Sequence, residues 1–548
     1  MSSNIELYKN LFQKKKYNEI IIKIEKLEKN KSAQILHILG ICKMLKNENN
    51  EDNLSARENF REAFLKEKNT NLGIEALTNF ININTNVYEI DDSLEYYSQI
   101  KDSFSKNLKL LKAISRLYQF SIRIEDRIKI LEKIIKLDSS SLDAWCSYMY
   151  INNFNPNWNQ EKFYLTAKEF AGNIKKFKLR QLDLEKSIMK RKIKIAFFSS
   201  DIYHPHSITY FLNGLLKNLD KNKFEIYAIS NAKEDKNNEK FKKYFDNWYN
   251  IRNLNDLDAT NFIRDREIDI VFDLMGFTGE NRIPILKNRV APIQISWLGY
   301  CNTSGLEEID YILADYNLIH KDEEKFYSEK VIKFEKIWNA HEGFEIIREK
   351  SPLPAIKNKH ITFGSFNNFN KISDQTLNAW SIILKNIKNS KLLLKSSMKF
   401  NLQNFTTRLN NLGILDKVKI KDRSENFEEH LNYYENIDLV LDTFPYNGVT
   451  TTFEAIWKGI PVLTVEGYNF NSRCGSSIIK NLGIDSLIAK DEDDYISKAI
   501  FYANNTERLI EIRNKIFETA TKTPLFDTKL FTKNFEKLIN DVIVQKLN

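Results

Sequence analysis

The chain has little cysteine and little histidine: four and seven residues in 548. Cys42, Cys146, Cys301 and Cys474 form no CxxC pair, and the histidines form no ligand-spaced cluster. That pattern argues against a disulfide scaffold or a structural metal, and for a reducing compartment. No stretch of about eighteen uncharged apolar residues occurs, so no membrane-spanning helix is expected. The start, Met1-Ser2-Ser3-Asn4-Ile5-Glu6, lacks a basic segment followed by an apolar core, and the expected location is cytoplasmic. Charge of one sign is also scarce. With 82 basic against 73 acidic residues the net charge is +9, which suits an anionic ligand such as a nucleotide and is too diffuse for nucleic acid.

What is present reads as an ordinary globular composition, 42% apolar and 28% charged, long enough for about three domains. Residues 1–150 carry apolar positions at helical spacing with almost no strand-type alternation. Leu39-Gly40 followed by Ala56, Phe60 and Ala63 is a degenerate match to a tetratricopeptide helix pair, with extra residues Asn47 to Asn53 between its halves; a weaker unit spans Ile128 to Tyr150. Residues 151–190 read as a helical linker. From Lys194-Ile195-Ala196-Phe197-Phe198 onward the character changes to buried strands alternating with helices, with further strands at Phe224–Ile229, Ile268–Phe272, Ile293–Trp297 and Tyr311–Ala314. The alternation restarts at Ile361 and continues through Lys391–Lys395, Val418–Ile420, Leu439–Leu441 and Val462–Val465. The expected fold is therefore α/β with an all-α N-terminal region. Two Rossmann-like domains, 191–345 and 346–548, face each other across a cleft in a GT-B architecture, and a helix near Lys529–Leu547 closes the second sheet.

The most informative segment follows the fourth strand of the second sheet. Asp442-Thr443-Phe444-Pro445-Tyr446-Asn447-Gly448-Val449-Thr450-Thr451-Thr452-Phe453-Glu454 places a glycine turn at the start of a helix. Such a turn can present free N–H groups and the Thr450 and Thr451 hydroxyls to a diphosphate, with Glu454 one helical turn from Thr451 and in reach of a ribose. The plainer reading makes Thr450 a helix cap and Glu454 a residue that complements the dipole.

Several blocks resemble the protein O-GlcNAc transferases, glycosyltransferases of family 41 type. In the first half they are Ser199-Ser200-Asp201 with His204-Pro205, Asp273 through Thr278, and Ala291 through Tyr300 with Thr303-Ser304-Gly305. In the second half they are Asn367 through Lys371, Asn447 to Glu454, Gly459-Ile460-Pro461-Val462, Ser472-Arg473 and Thr523 to Lys529. The resemblance covers about residues 190–545. It implies inverting transfer of a sugar, most often N-acetylglucosamine, from a UDP-sugar to Ser or Thr of a protein, without a metal or other cofactor, and without nucleic acid or membrane as partner. By the same resemblance Lys371 faces the diphosphate and Asn368 stands where the family places a glutamine. Asn447, Gly448, Thr450 and Thr451 hold the pyrophosphate, Glu454 the ribose, and His430 packs on the uracil. Leu298 and Gly299 belong to the substrate cleft. His204 lies beside the transferred sugar as a candidate for proton handling, with His206 competing for that assignment, and Asp269 occupies a position held by histidine in animal enzymes.

Three departures stand out. Val449 replaces a histidine in the glycine turn, and Tyr446 replaces a small cysteine that makes room for an acetamido group, which shifts the expected donor toward glucose. The link around Ile337–Lys359 is short, as in a bacterial member. Two other readings compete: transfer to asparagine, and a non-catalytic helical-repeat scaffold.

Overall fold

The computed structural model describes residues 2–27, 30–46, 50–184, 186–203, 205–233, 236–396 and 398–547. It divides into two compact units, Met1–Ala144 with Lys399–Arg408, and Trp145–Met398 with Leu409–Asn548.

The first unit is entirely helical among its described residues. Helices Ala33–Lys46 and Asn50–Lys66 form the anticipated pair, with Leu39 2% exposed and Ala56, Phe60 and Ala63 fully buried. Of the inserted residues, 47–49 lie outside those described, and from Asn50 onward the insert is helix, so it lengthens the second helix of the pair. Later helices are capped by their own sequence: the Thr70 side chain accepts from the Gly73 N–H and that of Asn107 from the Leu110 N–H, each satisfying one orphan donor of a first turn.

The second unit holds two parallel sheets. The first has seven strands, β1 (Ile193–Ser199), β2 (Phe224–Ser230), β3 (Asn247–Asn250), β4 (Ile270–Asp273), β5 (Ile293–Ser296), β6 (Tyr311–Asp315) and β7 (Lys330–Phe334), in the order β3-β2-β1-β4-β5-β6-β7. The second has six, β8 (Ile361–Ser365), β9 (Ser390–Lys395), β10 (Val418–Lys421), β11 (Leu439–Leu441), β12 (Val462–Val465) and β13 (Ile488–Ala489), in the order β10-β9-β8-β11-β12-β13. The central strands are continuous buried apolar runs, as a sheet covered on both faces requires. β3, β7 and β13 were not anticipated. All three are edge strands, half-exposed or only two residues long, so no buried run marks them.

A repeated device fixes the register. Asp246, Asp269, Asp310 and Asp438 each immediately precede a strand, and each carboxylate accepts the amide of the residue on the neighbouring strand to which its own N–H donates. The carboxylate distances are 2.8 Å from Ile226, 2.8 Å from Lys194, 2.9 Å from Gln294 and 2.7 Å from Thr362; the returning Asp N–H bonds are 2.8–3.0 Å. Asp269 also takes a bidentate pair from Arg191 at 2.7 and 2.8 Å.

Two expectations are corrected. The C-terminal helix, Thr528–Leu547, does not close the second sheet but returns to the first: Phe535 stacks 5.2 Å from Phe272 and Phe531 lies 6.1 Å from Trp297. The linker is not helical to Lys190. Helix Gln160–Asn173 buries Phe163, Ala167 and Phe170 within the second unit, and residues 175–184 are irregular. Phe177, Leu179, Leu182 and Leu184 alternate there with charged and polar residues and none is buried, so no apolar face holds a helix against a core.

Replacing Asp269 by alanine leaves the Arg191 guanidinium and the Lys194 N–H without their acceptor. About 2–4 kcal/mol of stability should be lost. Scanning calorimetry should show a lower midpoint for the second unit with ligand binding in the cleft unchanged; an unmoved midpoint would mean that these bonds contribute nothing.

Candidate active site

In parallel α/β sheets ligands bind beyond the carboxyl ends of the strands. Here loops from those ends of both sheets line one cleft of about 490 Å³. The second half contributes Asn368, Lys371 and Tyr446, then Thr450 and Thr451 at the head of helix Thr450–Trp457. The first half contributes Asp201, His206, Leu298 and Gly299.

Asp442, just past β11, organises the second-half wall. Its fully buried carboxylate accepts the Gly448 N–H at 2.8 Å, the Thr443 N–H at 2.9 Å, the Asn367 amide at 3.0 Å and the Thr464 hydroxyl at 2.8 Å. Asn367 in turn accepts the Thr451 hydroxyl at 2.6 Å. Gly448 is required by contact: a Cβ there would lie 2.5 Å from Thr451 Oγ1 and 2.6 Å from Asn367 Oδ1. The helix that follows starts at Thr450, and the residue before it, Val449, has a side chain that makes no capping bond. Its first N–H groups therefore point at the cleft as donors to an anion, with the helix dipole behind them.

Lys371 closes the short helix Phe369–Lys371. Its Nζ donates to the Asn447 carbonyl at 2.8 Å and lies 4.1 Å from the centre of the Tyr446 ring. Burial lowers its pKa from the ordinary 10.5 to about 8, against the opposing pull of Asp442. Asn368 does not reach out as a free amide: its oxygen accepts the Asn370 N–H at 2.9 Å and its nitrogen faces Met398 Sδ at 3.1 Å.

Beside this wall, His430 Nε2 sits 3.0 Å from Glu454 Oε2, and the Tyr434 hydroxyl donates to the same oxygen at 2.9 Å. His430 Nδ1 is 2.7 Å from Lys395 Nζ. Phe366 and Phe427 flank the imidazole at 5.9 and 5.8 Å. The motif residues expected at the phosphate and nucleoside ends are thus brought together by the ends of β8, β10 and β11, and β9 adds Lys395.

On the opposite wall, His206 caps helix Ser207–Asn218. Its Nδ1 accepts the Ile208 N–H at 3.3 Å, which leaves Nε2 directed at Asp201 Oδ1, 3.8 Å away. Burial raises the Asp201 carboxyl above its ordinary value and lowers the imidazole. Leu298 carries a left-handed φ of +77°, and a Cβ on Gly299 would lie 1.8 Å from the Leu274 carbonyl oxygen, so this wall tolerates only glycine there. His204 lies outside the described residues. Asp269 is a correction: it stands at the amino end of β4, away from the cleft, tied to Arg191 and Lys194. The acid of this wall is Asp201. Lys395 and Tyr434 were not foreseen, although Lys395 ends an anticipated strand on the carboxyl edge, where ligands sit.

Two Rossmann-like halves around a shared cleft, after an all-helical region, define a glycosyltransferase of the GT-B class. The Glycosyl transferase family 41 profile matches residues 173–342 and 345–535, and the chain belongs to that family. It is 28% identical over 417 residues to a tomato (Solanum lycopersicum) protein described as probable UDP-N-acetylglucosamine–peptide N-acetylglucosaminyltransferase SPINDLY, a match covering 74% of this chain and 44% of that one. An Arabidopsis thaliana protein of the same description is 30% identical over 359 residues, covering 63% and 39%. The chain spans less than half the length of these plant relatives. Among solved structures, a mutant O-GlcNAc transferase of Thermobaculum terrenum shares the fold, with a TM-score of 0.82 at 20% identity over 94% of this chain and 99% of that one.

Lys371 holds fewer protons folded than unfolded between about pH 8 and 10.5. Its charged form therefore costs stability in full below pH 8, about 3 kcal/mol, and the cost fades as pH rises. Lys371→Met should leave the thermal midpoint at pH 7 unchanged or raised while abolishing the calorimetric signal of UDP binding. In the wild type, affinity for UDP should fall as pH climbs through about 8. A destabilised variant that still binds UDP would remove Lys371 from the anion site.

Proposed function

We propose that the chain is an inverting glycosyltransferase that moves a sugar from a UDP-sugar to serine or threonine hydroxyls of protein acceptors selected by the helical unit. The sugar is N-acetylglucosamine or, with the Tyr446 ring beside Lys371, the smaller glucose. One observation carries the reading. A part-buried cation and an uncapped helix start line one side of a cleft whose other side holds Asp201 and His206, and the Glu454 carboxylate lies one turn into that same helix.

In the reaction the bond between the anomeric carbon and the β-phosphate oxygen breaks as the acceptor oxygen attacks from the opposite face. Charge develops on the departing diphosphate. Lys371 and the N–H groups of the helix start are fixed before it forms, so they stabilise it without reorganisation; one such donor is worth about 3 kcal/mol. This neutralisation needs no metal. The acceptor proton goes to Asp201, whose Oδ1 accepts the Ser200 hydroxyl at 3.3 Å; with Nδ1 of His206 occupied as acceptor of the Ile208 N–H, the hydrogen of that ring sits on Nε2, 3.8 Å from the same carboxylate. Burial above the ordinary carboxylate range makes Asp201 a better base.

The test combines the purified protein, lysate of its host and a panel of nucleotide sugars, read by intact mass and fragmentation. Hexose or N-acetylhexosamine on serine or threonine is expected, undiminished by EDTA. Asp201→Asn should slow transfer by about 10²–10³-fold with UDP affinity unchanged. Additions on asparagine would overturn the acceptor assignment, and a folded wild type that binds no UDP would overturn the donor assignment.

A further inference from the structure

Lys395 is 2% exposed, at the carboxyl end of β9, and the diphosphate end of the cleft does not use it. A lysine ammonium has three donors and no lone pair. At 2.7 Å from His430 Nδ1 it can only donate, so Nδ1 must be the bare nitrogen and the imidazole hydrogen must sit on Nε2. That hydrogen faces Glu454 Oε2 at 3.0 Å, an oxygen that also receives the Tyr434 hydroxyl at 2.9 Å. Glu454 itself is 4% exposed.

We propose that Lys395 is a positioning residue of the nucleoside subsite: it locks His430 in the Nε2–H tautomer, and the locked ring holds the Glu454 carboxylate ready to accept the hydroxyls of a ribose. This rests on the donor reading above and deepens it. With Oε2 engaged by two donors, the carboxylate cannot swing, and its remaining lone-pair capacity is aimed in one direction. A buried acid that must accept a diol gains from being fixed beforehand, because nothing is left to order on binding.

The other groups facing the ring fit this role. Phe366 and Phe427 flank it, and Tyr434 meets it edge-on at 5.9 Å, so the imidazole cannot flip without displacing aromatic neighbours. Burial pushes the Lys395 amine down from its ordinary value, and the carboxylates of Glu454 and Glu429 push it back up. The Glu454 carboxylate thus supports the lysine's charge across the ring between them.

Two measurements test the proposal. Isotope-labelled histidine nitrogens in the ligand-free protein should show His430 as Nε2–H; an Nδ1–H ring would overturn the lock whatever the protein binds. Calorimetry should then compare UDP with its 2′,3′-dideoxy analogue. Lys395→Met should weaken UDP about tenfold, the weight of one hydrogen bond to a charged group, and leave the dideoxy analogue's affinity as in the wild type. In turnover it should raise KM with kcat kept, and Lys395→Arg, another donor without a lone pair, should restore most of the loss. Equal weakening of both nucleotides in Lys395→Met, or no recovery with arginine, would reduce Lys395 to a structural role and overturn the proposal. A wild type that binds neither nucleotide would instead defeat the donor reading, and the nitrogen resonances would still decide the tautomer.

Discussion

A carboxylate one residue ahead of a strand, accepting the first free amide of the strand beside it, is the interaction on which the second unit's geometry depends. In a parallel sheet an amide near the start of a strand lacks a carbonyl partner where the neighbouring chain has not yet joined the sheet, and an unpaired buried amide costs about 1–3 kcal/mol. Asp246, Asp269, Asp310 and Asp438 solve this at four places with the same two-way bond. Because each aspartate binds both the N–H and the carbonyl of one residue on the neighbouring strand, the register is fixed at the amino edge. Every loop at the far edge then emerges at a defined height, and side chains from four strands of the second sheet can meet in one cleft.

At the carboxyl edge the same residue type does a different job. Asp442 is surrounded by donors: two backbone N–H groups, an amide and a hydroxyl. Its capacity is filled by the turn it shapes, so the nearby Lys371 donates to the Asn447 carbonyl rather than forming an ion pair with it. A lysine paired tightly to a carboxylate would have little to offer an incoming diphosphate. Held instead on a neutral carbonyl and an aromatic face, it keeps its charge uncompensated. That arrangement disfavours the folded protein and favours the anion, a division common where sites are built at the expense of stability.

Much of this was legible in the sequence, for physical reasons that differ by element. Buried central strands announce themselves as apolar runs, and Asp442 to Glu454 combines turn chemistry with a helix start. The edge strands β3, β7 and β13 could not be read, since half-exposed residues leave no periodic signal. Asp269 misled because resemblance alone pointed to it, and a matched position does not say which end of a strand it occupies; only the strand direction tells a register clamp from a site residue. Reading Ile-Asp before a strand at 268–269, 309–310 and 437–438 as one repeated motif would have exposed its structural role. The return of helix Thr528–Leu547 to the first sheet escaped for another reason. Its apolar face is as well suited to one sheet as the other, and the choice is made by Phe272 and Trp297, hundreds of residues away.

The two walls of the cleft divide their charges, and that division bears on how the reaction stays directed. The cation and the helix start lie on the second half with Lys395 and Glu454, while Asp201 and His206 lie on the first. Were Asp201 within reach of Lys371, the two would neutralise each other, the carboxylate would lose basicity and the lysine its pull on phosphate. Placed on separate strands of separate sheets, each keeps the protonation bias its own burial imposes: Asp201 upward from the ordinary carboxylate range, and Lys371 downward, to about 8. The shifts are opposite in sign and arise from one cause, removal from water, so a two-sheet cleft supplies acid–base poise and anion binding together as long as its walls keep those groups apart.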